Sequence, residues 1–83
     1  MANKNVELIV SNYNTATKRI FGVTARETFN SVADALTAAF GKCEPGSCVI
    51  IRPLYNEMAE GKEFFREWRS MNGEHFKEAR WYI

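Results

Sequence analysis

The chain has 83 residues, which places it near the small end of the domains that fold without disulfides, metals or partner subunits. Its eleven lysines and arginines nearly balance its ten aspartates and glutamates. A dedicated duplex-DNA binder is therefore disfavoured, because such proteins carry a basic excess, and an acidic DNA mimic is disfavoured as well. We expect one domain over residues 1–83 and keep a homodimer open, since association would add to a small core.

No apolar run approaches the length of about eighteen residues that a membrane-spanning helix needs. The N-terminal segment MANKNVELIV has one lysine and a short apolar run without a small-residue cleavage site, so it does not predict a signal peptide. The sequence also lacks an Asn-x-Ser/Thr glycosylation sequon. These observations predict a cytoplasmic protein that does not bind a membrane.

The first part of the chain predicts a β-hairpin. Apolar residues with β-branched side chains alternate over residues 6–10, and residues 18–25 predict a second strand. The intervening residues 11–15 are rich in Asn and Ser, which are typical of turns. Because the connection is short, we expect the two strands to pair antiparallel.

The clearest predicted element is a helix that begins after Ser31. Ser31 is a favourable N-cap, and Asp34 three residues later completes a pattern like the capping box. Gly41 predicts the end of the helix, because glycine adopts the left-handed conformation that often follows the last turn. The apolar residues recur at helical spacing and predict a stripe that packs on a sheet: Val32, Ala35, Leu36, Ala39 and Phe40.

A third strand is predicted over residues 48–52, after a turn at residues 44–47. The turn contains Pro45 and Gly46, which favour turn geometry. The unbroken apolar run at 49–51 indicates a central strand with both faces covered. Pro53 cannot donate a hydrogen bond to a sheet, so the strand is expected to end there.

Residues 56–71 allow two interpretations. In the first, Asn56 caps a second helix that ends before Gly73, with glutamates near its start and arginines near its end, as the helix dipole favours. In the second, Asn72 and Gly73 form the turn of a long β-hairpin. The pairs expected in that hairpin are Trp68 with Phe76, Arg66 with Glu78 and Glu67 with Lys77.

We adopt the helix as the main prediction. Gly61 disfavours it by about 1 kcal/mol relative to alanine, but the adjacent Phe64 and Phe65 break strand alternation. A last strand is predicted over residues 76–83. The predicted fold is thus α+β, a small single domain with an antiparallel-rich sheet and two helices packed on it in ββαβαβ order. A C-terminal hairpin in place of the second helix is the alternative.

Residues with catalytic or metal-binding chemistry are few. Cys43 and Cys48 flank the Pro-Gly turn, and a short disulfide or two ordinary thiols both fit; a reducing compartment favours the thiols. Their spacing is not a zinc pattern, and His75 is the only histidine. The glutamates between residues 57 and 78, except Glu57, have an arginine or lysine within four residues, which is typical of surface ion pairs. We therefore expect no enzyme, no cofactor and no metal.

Weak binding of single-stranded nucleic acid is an alternative function. It requires several basic residues and one aromatic ring to converge on the open face of the sheet. The residues expected to do so are Lys4, Tyr13, Lys18, Arg19 and Arg52.

The strongest functional signal is the density of rings in residues 64–83. This segment holds both tryptophans and three of the six phenylalanines, interleaved with basic side chains. A core this small has limited room for them, so some are expected at the surface, where Trp, Tyr and Arg often dominate protein interfaces. The predicted partner-binding residues are Arg66, Trp68, Arg69, Arg80 and Tyr82.

These features predict a non-enzymatic protein-binding module, whose partner is another protein. We expect an inhibitor or regulator that covers a surface of that partner. A short domain without catalytic motifs is also the style of the small anti-defence inhibitors that phages and other mobile elements encode, including those that block CRISPR complexes. That comparison is an analogy of size and style.

Overall fold

The computed structural model describes residues 5–83, which form six strands and one helix. The helix, α1, spans Val32–Ala39 and continues into a 3₁₀ turn over Phe40–Lys42. The strands are β1 (Val6–Asn14), β2 (Arg19–Phe29), β3 (Ser47–Pro53), β4 (Glu57–Ala59), β5 (Lys62–Met71) and β6 (Lys77–Tyr82). The predicted small α+β domain is confirmed, but these residues contain one helix and not two.

The six strands form one antiparallel sheet in which β5 is a central strand. Strands β2, β1, β3 and β5 lie side by side in that order. Trp68 of β5 pairs with Ile51 of β3 on one edge and with Glu78 of β6 on the other. Phe64 of β5 pairs with Glu57 of β4 and with Tyr82 of β6. Strand β4 therefore lies on the same edge of β5 as β3, further along the strand. The predicted third strand is confirmed as the central strand β3, and the strands with one partner only are β2, β6 and the short β4.

The sheet has a helix side and an open side. Leu8 and Ile51 face each other on adjacent strands, are fully buried, and pack with Ala35 and Ala39 of α1. Helix α1 contacts β1, β2 and β3. Because side chains alternate along a strand, Ile50 lies on the opposite side, which no helix of residues 5–83 covers. The expectation that both faces of β3 are covered is therefore wrong. We call these two surfaces the helix side and the open side.

The two ends of α1 differ in how well the sequence predicts them. The Ser31 cap is confirmed, since its hydroxyl oxygen accepts a hydrogen bond from the backbone N–H of Asp34 at 3.2 Å. The expectation that Gly41 closes the helix in a left-handed conformation is wrong. Gly41 lies inside the 3₁₀ turn without a positive φ, and the chain becomes extended at Cys43. The tighter i→i+3 turn takes the place of the glycine cap.

The β1–β2 hairpin is confirmed, with longer strands than predicted. The predicted turn at residues 11–15 is displaced, because β1 runs to Asn14 and the turn follows it. The side-chain oxygen of Asn14 accepts hydrogen bonds from the backbone N–H groups of Ala16 and Thr17, which fixes the turn there. Two register shifts occur in this pair and leave Thr24 and Gly22 of β2 as extra residues.

The second helix predicted for residues 56–71 is wrong, and this segment forms β4 and β5. The two strands are joined by Glu60 and Gly61, which both have positive φ (52° and 75°). Positive φ at both central residues is the signature of a type I′ turn, which favours a tight hairpin. The gradient of charge that suggested a helix dipole has another cause, because Glu57 and Arg66 form an ion pair across the hairpin.

The alternative of a C-terminal hairpin is correct, but its predicted register is not. Trp68 pairs with Glu78 and Arg66 with Arg80, so the register differs by two residues from the predicted one. The reason is the longer connection between Met71 and Lys77. Within it Phe76, which was predicted to start the last strand, packs against the core.

Gly73 in this connection provides a test of the hairpin. It has φ +80°, and a Cβ placed there would lie 3.1 Å from the backbone carbon of Glu44 and the backbone nitrogen of Pro45. We expect Gly73→Ala to lower the free energy of unfolding by about 1–3 kcal/mol, from backbone strain and this close contact. The measurement is urea denaturation.

Gly41→Ala is the matched control for that substitution. Gly41 has no positive φ, and a Cβ added there would have no heavy atom within 4 Å beyond its own chain neighbours. The free energy of unfolding of this variant is therefore expected to stay within about 0.5 kcal/mol of the wild type. Equal effects of the two substitutions would contradict the described conformation of the β5–β6 connection.

Candidate functional site

The β5–β6 hairpin distributes the C-terminal rings over both sides of the sheet. Since directly paired residues share a side, Trp68, which pairs with buried Ile51, marks the helix side. The side chains on the helix side are therefore Phe64, Arg66, Trp68, Glu78, Arg80 and Tyr82. Those on the open side include Phe65, Glu67, Arg69 and Trp81.

On the helix side, rings and guanidinium groups alternate along β5 and continue onto β6. The guanidinium carbon of Arg66 lies 4.5 Å from the ring centroid of Trp68, and that of Arg80 lies 5.1 Å from the ring centroid of Phe64. The rings of Phe64 and Tyr82 are 5.5 Å apart. Each of these contacts is a favourable packing of a cation or ring on an aromatic face. We call these five residues the arginine–aromatic row.

Ion pairs hold the row in place. Arg66 binds both carboxylate oxygens of Glu57, with its Nη2 2.8 Å from Glu57 Oε1. Arg66 Nη1 also lies 3.3 Å from Glu78 Oε1, which accepts a second hydrogen bond from Arg80 Nε at 3.0 Å. The hydrogen bonds from Arg80 and then Arg66 lower the pKa of Glu78, and the bond to Glu78 raises the pKa of Arg80. The charges of the two arginines are thus compensated by Glu57 and Glu78 within the chain.

On the open side, exposed apolar side chains lie beside a shallow cleft that is lined by both apolar and polar residues. The rings of Phe65 and Trp81 stack at 5.1 Å with an interplanar angle of 15°, although they remain 44% and 41% exposed. Leu54, Tyr55 and Phe65 line the cleft, whose volume is about 340 Å³. Met58 of β4 pairs with Glu63, on the same side as Phe65, and is 66% exposed. We call Leu54, Tyr55, Met58, Phe65 and Trp81 the open-side patch.

The arginines near the open-side patch have acidic partners. Arg52 Nη2 lies 3.2 Å from Glu7 Oε1, and Arg69 Nη2 lies 2.8 Å from Glu67 Oε1. Glu67 and Arg52 also line the cleft. The patch is therefore an apolar surface with a polar rim whose opposite charges are largely compensated, as at many protein interfaces.

The structure brings together four of the five predicted partner-binding residues. Arg66, Trp68, Arg80 and Tyr82 all belong to the arginine–aromatic row. Arg69 lies on the open side instead, because it follows Trp68 on the same strand. Within the row, Tyr82 is the most exposed ring at 59%, whereas Trp68 packs against the core.

The predicted nucleic-acid-binding residues are spread along the sheet. Arg19 pairs with Asn14 at one end of β1, whereas Arg52 pairs with Glu7 near the other end. Seven residues along a strand correspond to about 23 Å, so these two arginines do not converge. Lys18 lies in the β1–β2 turn, Tyr13 is half-buried on β1, and Lys4 lies outside the described residues.

The two cysteines are free thiols that point to different sides of the sheet. Cys43 packs against the core on the helix side, and its Sγ donates to the carbonyl oxygen of Ala39 at 3.3 Å. Cys48 is fully buried and lies two residues from Ile50, on the open side of β3. Burial raises the pKa of the Cys48 thiol, with nearby Arg69 acting against it. The structure thus contains the two ordinary thiols and not the short disulfide.

His75 does not form part of a chemical cluster. It is exposed in the β5–β6 connection. Among residues 5–83, no three His, Cys, Asp or Glu side chains gather in an arrangement that could hold a metal ion. No helix in the described part of the chain is long and apolar enough to cross a membrane.

The binding residues predicted from the sequence do not include any residue of the open-side patch. Leu54, Tyr55 and Met58 were missed because they meet Phe65 only when β4 and β5 form a hairpin. The available signal was the adjacent pair Phe64 and Phe65, since neighbouring residues of a strand point to opposite sides. Two aromatic residues that are adjacent in a strand therefore place one ring on each side of the sheet.

Comparison with protein-family models, with curated proteins and with solved structures finds no significant match to this chain.

Proposed function

We propose that this chain is a non-enzymatic module that binds a partner protein through the open-side patch. The observation that carries the proposal is the stacked and half-exposed pair Phe65 and Trp81, with the exposed Leu54 and Tyr55 in the cleft that Phe65 lines. Large aromatic side chains are costly to leave in water, and contiguous exposed apolar surface on a small domain is typical of an interaction site. The partner is a protein that inserts a protruding apolar side chain between Leu54, Tyr55 and Phe65.

The arginines favour a protein over a nucleic acid as the partner. A single-strand binder combines stacking rings with cations that neutralise phosphates. Here the rings are present, but Arg52 and Arg69 already pair with Glu7 and Glu67 at the same surface. A phosphate would have to displace a carboxylate at each of them, whereas an apolar protein surface would leave both ion pairs intact.

The residues predicted from the sequence have two roles in this proposal. Arg69 is half-buried on the same side of the sheet as the open-side patch and extends the contact there, whereas Arg80 and Tyr82 are exposed on the helix side of the edge strand β6. Arg66 and Trp68 are half-buried and position the hairpin. Binding by such a surface acts through steric occlusion. We therefore propose an inhibitor or regulator that covers a surface of its partner, in the style of phage-encoded anti-defence proteins.

Selection of a random-peptide phage library on the purified chain tests this function. We expect the selected peptides to share an aromatic or aliphatic residue at one position, the residue that enters the cleft. Phe65→Thr is expected to weaken their binding at least about tenfold. The matched control is Phe21→Thr, because Phe21 is an exposed ring in β2, on the far edge of the same sheet.

Three outcomes would overturn the proposal. The first is a library that yields no specific peptide, and the second is a set of peptides that bind Phe65→Thr as well as they bind the wild type. The third is tight binding of a fluorescent poly-dT oligonucleotide that weakens steeply with rising salt, which indicates phosphate contacts. Far-UV circular dichroism of both variants shows whether each retains the fold.

A further inference from the structure

We propose that two copies of this chain associate edge to edge through β6 and form a continuous sheet across a two-fold axis. The inference rests on the geometry of the outer edge of β6, and Trp81 is the one residue that it shares with the open-side patch. Among residues 5–83, β6 pairs with β5 alone, so its other edge has no strand beside it. An unpaired edge offers backbone donors and acceptors to another strand.

The two long edge strands, β2 and β6, differ in how well they could accept a partner; the third edge strand, β4, has three residues only. Strand β2 contains two extra residues, Gly22 with φ +61° and Thr24, whose hydroxyl donates to the carbonyl oxygen of Val10. Such bulges twist an edge strand and hinder pairing with another chain. Strand β6, in contrast, pairs with β5 in an uninterrupted register over all its residues. The regular edge of the sheet is therefore the β6 edge.

The hydrogen-bond pattern identifies which groups of β6 are free. The backbone N–H of Ile83 donates to the carbonyl oxygen of Glu63 at 3.0 Å, so Ile83 belongs to a hydrogen-bonded pair with β5. In an antiparallel ladder such pairs alternate with pairs whose N–H and C=O groups point away. Glu78, Arg80 and Tyr82 consequently direct their backbone N–H and C=O groups to the outer edge.

The charges of β6 select one register for self-pairing. In an antiparallel pair related by a two-fold axis normal to the sheet, opposite residues share a side. A pairing centred on Glu78 sets two glutamates against each other, and one centred on Arg80 sets two arginines against each other. A pairing centred on Ala79 instead places Glu78 opposite Arg80 of the second copy, twice, with the small Ala79 residues at the axis.

The register centred on Ala79 also places complementary side chains opposite each other on the open side. It places Lys77 opposite Trp81 of the second copy, again twice, where an ammonium group meets an exposed indole. The free backbone groups of Glu78 in one copy face those of Arg80 in the other copy, so two hydrogen-bonded pairs form at the centre of the interface. The edge of β6 is therefore self-complementary in backbone, charge and ring contacts, and the partner it fits is a second copy of this chain.

Charge reversal and mixing test the proposal, with sedimentation equilibrium as the measurement. The wild type is expected to have twice the monomer mass of 9.5 kDa at micromolar concentration. Glu78→Arg and Arg80→Glu each create like charges at the interface, and each alone is expected to raise the dissociation constant at least about tenfold. An equimolar mixture of the two variants restores opposite charges at both positions, so the mixture is expected to dimerise again.

Cross-linking tests the register itself. Ala79→Cys, made in a Cys43→Ser background, is expected to form an intermolecular disulfide under mild oxidation, because the two positions meet at the axis. Lys77→Cys is the control and is expected to stay reduced, since the two Lys77 positions lie four residues apart along the paired strands. The proposal is overturned by a monomeric wild type, by variants that dimerise unchanged or fail to recover on mixing, or by equal cross-linking at both positions.

Discussion

Replacement of Ile51 by alanine is expected to lower the free energy of unfolding by about 2–5 kcal/mol. Ile51 is fully buried between the sheet and α1, where it packs with Leu8 and Ala35. Truncation removes buried apolar surface and leaves a cavity that the surrounding backbone fills only in part. A domain of this size has few kilocalories to lose, so a large fraction of the variant is expected to be unfolded at ambient temperature.

Ile50→Ala is the matched control, because it removes the same atoms from the next residue of the same strand. Ile50 lies on the open side opposite Ile9 and is only half-buried. Its truncation is expected to cost about 1 kcal/mol, since less apolar surface returns to water. Urea denaturation measures both values. A larger loss at position 50 than at 51 would mean that the helix covers the other side of β3.

Arg66→Glu is expected to lower the free energy of unfolding by about 2–3 kcal/mol, which is large for a residue that is not fully buried. Arg66 binds Glu57 on β4 and Glu78 on β6, and its guanidinium lies on the ring of Trp68. Reversal of its charge brings three carboxylates together on the helix side. It also removes the group that joins the two strands flanking β5.

Arg52→Glu serves as the comparison for that reversal. Arg52 also has a glutamate partner, Glu7, but half of its side chain is exposed and it bridges only one pair of strands. Its reversal is therefore expected to cost no more than about 1 kcal/mol. Thermal unfolding followed by circular dichroism compares the two variants. Similar melting temperatures would show that the Arg66 ion pairs add little to stability.

The parts of the fold that the sequence predicts correctly are those whose signals are local. Ser31 and the stripe of Val32, Ala35, Leu36 and Ala39 specify α1 within one short segment, and the helix forms there. Phe40, which was predicted on the same stripe, is 71% exposed in the 3₁₀ turn instead. The apolar run at 49–51 likewise identifies β3. Each of these elements is specified by residues next to one another in the chain, so no knowledge of distant contacts is required.

The error at residues 56–71 arises from a signal that is not local. Glu57 and Arg66 are nine residues apart, and their opposite charges suit either a helix dipole or an ion pair across a hairpin. The deciding feature is the pair of positive φ angles at Glu60 and Gly61, and Glu-Gly is a less common turn pair than Asn-Gly. Local propensity could not separate these two outcomes.

The candidate site was predictable only in part for the same reason. Arg66, Arg80 and Tyr82 share one side in the observed hairpin, whose pairing is set by the long connection after Met71. The open-side patch also needs the loop residues Leu54 and Tyr55, which adjoin Phe65 only in three dimensions. Residue types indicate that rings will be exposed, but they do not indicate which rings meet.

Successive side chains of strand β5 lie on opposite sides of the sheet. Phe64 and Ser70, on the helix side, are buried, whereas Glu63 and Phe65, on the open side, are exposed. A library that randomises only the exposed open-side positions of β5 would therefore leave the buried residues of the sheet untouched. The domain is suited to serve as an engineering scaffold, in which new specificities are selected on one surface while the other continues to direct folding.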